Sequence, residues 1–188
     1  MGTLREPKPV KLFIAFLADH ETLFPAAEKD LGAIWGAIDL ATRTFPWAMT
    51  DYYKAEMGSG LLRKFVSFDA LISPERLPEI KLMTQGLEEG HRWVEGDKRG
   101  RRLNADPGYL EAAKVVLAST KNTSHRIYLR SGIYGEVALR FYNGSFQPSS
   151  YTYPDYCWPE TLSFFAAARS LYLSQLRQHG GGGRESRP

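Results

Sequence analysis

The feature that most constrains the fold is an apolar run near the start of the chain. It reads Val10-Lys11-Leu12-Phe13-Ile14-Ala15-Phe16-Leu17, so that a single lysine interrupts an otherwise apolar segment of strand length. Successive side chains of a strand point to opposite faces of a sheet, and a strand that is apolar at nearly every position is typical of a sheet centre. The run therefore predicts the first core strand.

Two helices are predicted in the first half of the chain. Residues 21–34 have apolar side chains at spacings of three and four, which is typical of a helix with one buried face. These apolar residues are Leu23, Ala27, Leu31 and Ile34. Ser73 and Pro74 suit the beginning of a second helix, which continues to the polar Glu88-Glu89-Gly90. Strand-like stretches are predicted at 36–42, 49–57 and 63–68, and an exposed charged loop at 95–102.

The second half is richer in predicted strand, with stretches at 115–118, 126–129 and 135–141. Asn143-Gly144, flanked by aromatic residues, predicts a hairpin turn, and a closing helix is predicted over 159–178. This order favours an α+β domain, in which a mostly antiparallel sheet is layered with about three helices, over a doubly wound parallel sheet. We expect one compact domain over residues 1–179 and a flexible Gly-rich tail over residues 180–188.

Charge and cysteine content limit the classes of function. The formal net charge of +3 permits a phosphate-bearing partner without requiring one. The single cysteine, Cys157, excludes an internal disulfide, so a cytoplasmic location is expected. No apolar run approaches the roughly 20 residues of a membrane span, and we expect no membrane partner. The sequence also lacks the phosphate loop G-x-x-x-x-G-K-[ST], the elbow G-x-S-x-G and the zinc motif H-E-x-x-H.

The first candidate site residue is Asp106, in Asn104-Ala105-Asp106-Pro107-Gly108-Tyr109. Pro-Gly predicts a turn that would project the Asp106 carboxylate from a rigid corner. Such a carboxylate could bind a metal ion or accept a proton. The alternative is a structural role, in which Asp106 caps the turn or the helix that follows.

A second group of candidates surrounds one predicted turn. Thr120 and Lys121 are followed closely by His125 and Arg126. Arginine offers a bidentate fork to phosphate, lysine offers a point charge, and histidine can donate a proton or bind a phosphate oxygen. The group predicts a phosphate site, and the alternative is a solvated turn with a structural histidine.

A third group consists of acidic residues within strand-like or aromatic stretches, namely Glu56, Glu136 and Asp155. Alternation places Glu136 on the face opposite its apolar neighbours, so solvent exposure is one interpretation. The other is a polar cavity, where these carboxylates meet Lys121, His125 and Arg126 through a divalent cation with oxygen ligands.

A family resemblance is carried by short motifs distributed over most of the chain. The motifs are Pro9-Val10-Lys11-Leu12-Phe13, Asp51-Tyr52-Tyr53, Glu56-Met57-Gly58, Phe65-Val66-Ser67-Phe68, Ile80-Lys81 with Thr84, Asp106-Pro107-Gly108-Tyr109, Leu117-Ala118-Ser119-Thr120-Lys121, His125-Arg126-Ile127-Tyr128-Leu129 and Thr152-Tyr153-Pro154-Asp155-Tyr156. On these motifs the chain resembles an uncharacterised prokaryotic family, domain of unknown function 4416. The resemblance implies a small stand-alone prokaryotic protein and carries over neither an activity nor catalytic residues.

The leading hypothesis is an enzyme that acts on a phosphate-bearing small molecule or nucleotide. The predicted catalytic residues are His125, as general acid or base, with Asp106 and Glu136. The predicted ligand-binding residues are Lys121, Arg126, Thr120, Tyr109, Lys81 and Arg63. The predicted metal ligands are Asp106, Glu56 and Asp155, and a Mg2+ requirement would follow if at least two of the carboxylates converge.

The competing hypothesis is a non-catalytic module that binds RNA or a protein through a mildly basic, aromatic face. A convex basic patch with exposed Tyr128, Tyr151 and Tyr153 would favour binding. A concave pocket with His125 and two carboxylates would favour catalysis. Neither the substrate nor the oligomeric state follows from the sequence.

Overall fold

The computed structural model describes residues 2–49, 53–95 and 98–180. The strands are β1 Val10–Ala18, β2 Ile38–Ala41, β3 Phe45–Trp47, β4 Leu61–Ile72, β5 Arg92–Glu95, β6 Lys98–Arg101, β7 Leu103–Leu110, β8 Lys114–Ser119, β9 Ile127–Arg130, β10 Ile133–Tyr142 and β11 Ser145–Pro148. The helices are α1 Leu23–Trp35, α2 Lys54–Met57, α3 Leu77–Gly90 and α4 Pro159–Gly180. A short 3-10 turn, Pro154–Cys157, precedes α4.

One large antiparallel sheet organises the described residues, in the order β11-β10-β8-β7-β1-β4-β2. Strand β3 also pairs with β4, strand β9 also pairs with β10, and β5 and β6 form a separate hairpin. The predicted α+β class, a mostly antiparallel sheet layered with about three helices, is confirmed, and the three longest helices are α1, α3 and α4. The predicted central strand is β1, which lies between β4 and β7 and is buried along its whole length.

The two faces of β1 pack against different helices. Its even-numbered residues join a cluster with side chains of α1 and α3, whereas Phe13 and Ala15 join a cluster with side chains of α4. The apolar sequence of β1 is explained by these two covered faces. Lys11, the lysine within the run, is fully buried, forms an ion pair with Asp39 and donates to the Phe68 carbonyl at 2.9 Å.

Two predictions of local structure are wrong in their described parts. The strand predicted over residues 49–57 contains the helix α2. Tyr53 directly precedes this helix, one helical turn from Met57, and both residues join one apolar cluster. Its residues 50–52 lie outside the described part. The charged loop predicted over residues 95–102 contains strand β6, which pairs with β5 in a hairpin where the Trp93 ring covers Gly100.

The turn predicted at Asp106-Pro107-Gly108 is also wrong, because these residues lie inside β7. Strand β7 pairs with β1 along its whole length, with Pro107 opposite Ile14. Strand β8 pairs with β7 only from Gly108 onward, so one edge of β7 is unpaired at Pro107. A proline is tolerated at such an edge, since its missing N–H is not needed by a second strand.

The C-terminal part of the described chain contains a hairpin and the longest helix. The predicted hairpin at Asn143-Gly144 is present between β10 and β11, and both residues have positive φ angles, of 46° and 82°. Helix α4 ends at Gly180, and the remainder of the predicted tail lies outside the described residues. Within the described part of the chain, no helix is both long and apolar enough to cross a membrane.

Gly108→Ala tests the close approach of β7 to its neighbours. A Cβ at this position would lie against the Phe13 ring and the Val116 carbonyl oxygen, closer than real Cβ atoms approach. We expect the substitution to lower the free energy of unfolding by about 1–3 kcal/mol through overpacking, measured by urea denaturation. Gly32→Ala on α1 is the control, because no atom outside the helix backbone lies within 4 Å of its Cβ. Equal stability of the two variants would contradict the packing assigned to β7.

Candidate functional site

The candidate site lies where the sheet opens between β7 and β8. Residues 108–110 of β7 pair with β8, but the residues before them pair with β1 alone. Ala118 and Ser119, at the end of β8, pair with β10 alone. The two strands therefore diverge and border a cavity of about 580 Å3, which we call the site cavity. This volume lies in the range of ligand pockets, roughly 300–1,000 Å3.

Charged and aromatic side chains dominate the cavity wall among the described residues. The cations are Arg63, Lys81, Arg101, Lys121 and Arg126, the acids are Glu88, Asp106 and Asp155, and the aromatic residues are Trp47, Tyr53, Tyr153 and Tyr156. We call the buried Arg63, Asp155 and Tyr156 the cavity floor. We call Thr120, Lys121 and Arg126 the cavity rim, since the first two are exposed. Cations therefore outnumber acids on this wall.

Side chains from α3 complete the unpaired edge of β7. The Ala105 N–H donates to Glu88 Oε1 at 2.9 Å, and Lys81 Nζ donates to the Ala105 carbonyl at 3.2 Å. These contacts take the place of the strand that is missing at this edge. Lys81 and Glu88 lie on the buried face of α3 because their spacing of seven residues equals about two helical turns. The hydrogen bonds to the Ala105 backbone thus hold the Lys81 ammonium and the Glu88 carboxylate in the cavity wall.

Lys81 also binds Asp106, a predicted site residue. Its Nζ lies 2.9 Å from Asp106 Oδ1 and 3.7 Å from Glu88 Oε1. The other oxygen of Asp106 accepts a hydrogen bond from Asn104 Nδ2 at 2.7 Å. One ammonium therefore lies between two carboxylates, and all three groups line the cavity.

The pKa values of these groups move in different directions. Burial raises the pKa of Glu88, although Lys81 and the Ala105 N–H oppose this shift. Burial also disfavours ionisation of Asp106, but the charge and hydrogen bond of Lys81 outweigh it and lower the pKa of Asp106. The pKa of Lys81 is raised, because Asp106 and Glu88 more than offset its burial. Lys81 therefore stays charged while the two acids differ in proton affinity.

Arg101 joins Glu56 to this network. Its Nε and Nη2 donate to the two oxygens of Glu56 at 2.7 and 2.8 Å, and its Nη1 donates to Glu88 Oε2 at 3.2 Å. The bidentate hydrogen bond of Arg101 is the largest cause of the lowered pKa of Glu56. Glu56 thus orients Arg101, which lines the cavity.

The cavity floor contains a buried ion pair between Arg63 and Asp155. Trp47 Nε1 donates to Asp155 Oδ2 at 3.3 Å, and the Arg63 guanidinium carbon lies 5.9 and 5.6 Å from the ring centroids of Trp47 and Phe65. Within the described residues, Arg63 Nε, Arg63 Nη1 and the Tyr156 hydroxyl have no hydrogen-bond partner. Burial raises the pKa of Tyr156, so its hydroxyl remains protonated.

Three contacts fix Arg126 at the cavity rim. Its Nε donates to Glu136 Oε2 at 2.6 Å, its Nη2 to the Tyr153 hydroxyl at 2.9 Å and its Nη1 to the Lys121 carbonyl at 3.1 Å. Glu136 is only 3% exposed, so its interpretation as a solvated residue is wrong. Behind the wall, Glu136 acts as the counter-charge that holds Arg126.

His125 and Tyr109 lie outside the wall of the site cavity. His125 Nε2 lies 3.0 Å from Glu136 Oε2, and its ring stacks on Tyr151 with centroids 4.3 Å apart. The histidine therefore supports the same carboxylate that holds Arg126. Tyr109 is partly buried between two apolar clusters.

The structure brings most of the predicted site residues to one place. Those that line the cavity are Arg63, Lys81, Asp106, Thr120, Lys121, Arg126 and Asp155. Glu56, Glu136 and His125 contact cavity residues or their partners from behind. In the ranges 2–49, 53–95 and 98–180, no three His, Cys, Asp or Glu side chains are grouped to hold a metal ion.

Sequence reasoning missed several residues of the wall, including Glu88, Arg101, Trp47 and Tyr156. Glu88 had a detectable signal, because Lys81, Thr84 and Glu88 share one helical face with spacings of three and four. Arg101 had none, since the segment around it was interpreted as a solvated loop.

The comparisons with known proteins identify a family and no activity. A family model described as a domain of unknown function (DUF4416) matches residues 8–172, a range that includes every residue of the cavity wall. No curated protein and no solved structure matches the chain.

Asp106→Asn tests the electrostatic role of Asp106 as a function of pH. The pKa of Asp106 is lowered in the folded protein, so the ionised carboxylate stabilises the fold above about pH 4, and this contribution is lost as the pH falls through the folded pKa. We expect the variant to be about 1–3 kcal/mol less stable at pH 7. The deficit should shrink towards pH 3, as measured by urea denaturation across this range.

The matched control is Asp30→Asn, on the exposed side of α1. We expect it to change stability by less than about 0.5 kcal/mol at every pH. A deficit of Asp106→Asn that stays constant or grows as the pH falls would contradict the assigned role of Asp106.

Proposed function

This chain belongs to the DUF4416 family, whose description names no activity, and we propose that it binds a phosphate-bearing small molecule or nucleotide in the site cavity and acts on it as an enzyme. The observation that carries the proposal is a concave wall that combines five cationic with four aromatic side chains of the described residues. Ligand pockets are typically concave and use a few placed polar groups to orient an otherwise stacked or packed ligand.

The residues of the cavity rim are suited to bind a phosphate group. Lys121 is exposed, and Arg126 is fixed in place by Glu136, Tyr153 and the Lys121 carbonyl. A guanidinium that is already oriented loses little conformational entropy when an anion binds. Thr120 adds a hydroxyl at the same edge of the cavity.

The aromatic residues of the wall favour a ligand with a flat ring. A nucleotide combines such a ring with a phosphate. Trp47 packs edge-on against Tyr53 with ring centroids 5.6 Å apart, and Tyr153 and Tyr156 line the cavity as well. Aromatic side chains provide stacking surfaces for nucleobases without strong selection between bases.

The enzyme hypothesis draws its support from Glu88 and Asp106. Both carboxylates line the cavity, and their pKa values are shifted in opposite directions. Two titratable groups whose environments separate their pKa values suit the roles of general acid and general base. They are better placed for these roles than His125, whose ring contacts Glu136 behind the wall.

A Mg2+ ion is proposed only as a companion of the ligand. Asp106 and Asp155 are the predicted metal ligands that line the cavity, and each forms an ion pair with a cationic side chain. Mg2+ is usually bound by one or two carboxylates together with substrate phosphates. The two carboxylates fit this donor set if the ligand brings its phosphate to them.

The second candidate function is a module that binds RNA or a protein. It is favoured by β9, where Ile127, Tyr128 and Leu129 are 74%, 58% and 41% exposed. Tyr151 and Tyr153 are also exposed, at 37% and 41%. The concave cavity favours the small-molecule function over this one.

As part of the main proposal, we place the protein in a prokaryotic cytoplasm, which its family resemblance and single cysteine support.

A thermal-shift screen tests ligand binding. The compounds are nucleotides, sugar phosphates and short RNAs, each with and without Mg2+. We expect at least one small phosphate compound to raise the melting temperature, because a ligand that binds only the native state stabilises it. Lys121→Ala should remove most of this shift. A shift that depends on Mg2+ would support the metal proposal.

The control for this screen is Lys29→Ala, which removes an exposed lysine of α1 that does not line the cavity. It should leave the ligand-induced shift unchanged. Shifts produced by RNA alone would favour the binding module, and equal loss in the two lysine variants would exclude the cavity as the binding site.

Turnover is tested with the compound that the screen identifies. Phosphorus NMR of a mixture of compound and protein should show the starting resonance replaced by a new one. We expect Asp106→Asn to slow this conversion by about a hundredfold or more, the usual scale of general acid-base catalysis. Asp30→Asn should convert the compound at the wild-type rate. Binding without any new resonance would reduce the proposal to a binding function.

A further inference from the structure

The cavity floor holds buried hydrogen-bond donors for which the described residues supply no acceptor. Arg63 and Tyr156 line the site cavity and are only 6% and 1% exposed. Asp155 pairs with Arg63 Nη2, whereas Arg63 Nε, Arg63 Nη1 and the Tyr156 hydroxyl have no partner in the described part of the chain. Buried polar groups are rarely left without hydrogen bonds in native proteins, and each exception calls for an explanation.

Carboxylates lie near these donors, but in the described residues none accepts a hydrogen bond from them. Among these residues, Asp155 pairs with Arg63 through Nη2 alone, and Glu136, whose charge also acts on Tyr156, keeps its own Oε1 without a partner.

The rings of Trp47 and Phe65 lie against the Arg63 guanidinium at 5.9 and 5.6 Å, but an aromatic face is a weak acceptor. The guanidinium is always charged, and burial keeps the Tyr156 phenol protonated by raising its pKa. The floor therefore presents the N–H groups of a cation together with an O–H donor. An oxyanion is the acceptor that complements this combination best.

The donors of the cavity floor belong to other elements than the residues of the cavity rim. The two groups are linked by Tyr153, whose hydroxyl accepts from Arg126 and whose ring centroid lies 6.5 Å from that of Tyr156. Arg63 belongs to β4 and Tyr156 to the turn before α4, whereas Thr120 and Lys121 follow β8. Both groups line the same cavity. A second oxyanion on the ligand would supply the acceptor that the floor donors lack in the described residues.

We propose that the ligand of this protein carries two oxyanion groups, with a phosphate at the cavity rim and a second group, either a carboxylate or another phosphate, at the cavity floor. This inference rests on the proposed function and narrows its substrate class. It assigns to Arg63 and Tyr156 a contact with the second oxyanion. The cavity, of about 580 Å3, has the volume of pockets that hold small molecules of this kind.

Tyr156→Phe is the variant that isolates the proposed contact. It removes a hydroxyl without a partner among the described residues and keeps the ring that packs on Phe65 and Phe165. Replacement of Arg63 would be less informative, because it would leave the Asp155 carboxylate buried without its cation. Tyr142→Phe is the matched control, since Tyr142 is 67% exposed and lies at the β10–β11 hairpin.

The experiment is isothermal titration calorimetry with two matched pairs of probes. Glycerol 3-phosphate and 3-phosphoglycerate differ in a carboxylate, and AMP and ADP differ in a second phosphate. We expect the two-anion member of at least one pair to bind about tenfold or more tightly than its match, as one added charge-assisted hydrogen bond would produce. The pair that shows the difference identifies the second group as carboxylate or phosphate.

The variants then assign this difference to the floor. Tyr156→Phe should weaken the two-anion probe about tenfold and leave its single-anion match unchanged, with a melting temperature at or above that of the wild type. Lys121→Ala should weaken both members of the pair, and Tyr142→Phe neither. Phosphate probes that bind through Lys121 but show no gain from a second anion, or no sensitivity to Tyr156→Phe, would overturn this inference and keep the proposed function. Failure of every phosphate probe to bind the wild type would overturn both.

Discussion

The hydrogen bonds from α3 to the unpaired edge of β7 satisfy the backbone groups of Ala105 where the sheet opens. Where β8 leaves β7, the Ala105 N–H and C=O are bound by Glu88 and Lys81. A buried backbone group without a partner costs about 1–3 kcal/mol, so this divergence of two strands needs such substitutes. The substitutes are charged, and they place an ammonium and a carboxylate beside the space that the missing strand would have filled. The opening of the sheet and the polarity of the cavity therefore have one cause.

Four cations of the cavity wall form ion pairs with carboxylates of the described residues, and these pairs orient them. Lys81 contacts Asp106 and Glu88, Arg101 contacts Glu56, and Arg63 and Arg126 contact Asp155 and Glu136. The attraction of each carboxylate also offsets part of the desolvation free energy of its buried cation, which is large for an isolated charge. At the cavity floor, however, Arg63 keeps donors for which the described residues supply no acceptor. A wall of this kind is organised before any ligand binds, which is the condition for selective recognition.

Most of the fold could be predicted from local patterns, and so could part of the candidate site. The apolar run at Val10 predicted the central strand, and Asn143-Gly144 predicted the hairpin, because each signal lies within a few consecutive residues. The failures have a different origin. Pro107-Gly108 is a turn signal in isolation, but pairing with β1 holds it in an extended strand. The charges around Arg101 indicated a solvated loop, whereas Glu56 and Glu88 bind that arginine from distant parts of the chain.

The sequence by itself determined the α+β class, the central position of β1 and the polar residue types available for a site, because these depend on alternation, helical spacing and composition. Tertiary structure decided which of those residues meet. Lys121 and Arg126 are close in sequence, but they line one cavity with Arg63, Asp106 and Asp155 because β7 and β8 diverge. Burial of Glu136 and the unpaired donors of the cavity floor likewise follow from packing between elements. Such contacts join residues far apart along the chain, and no local pattern encodes the distance between them.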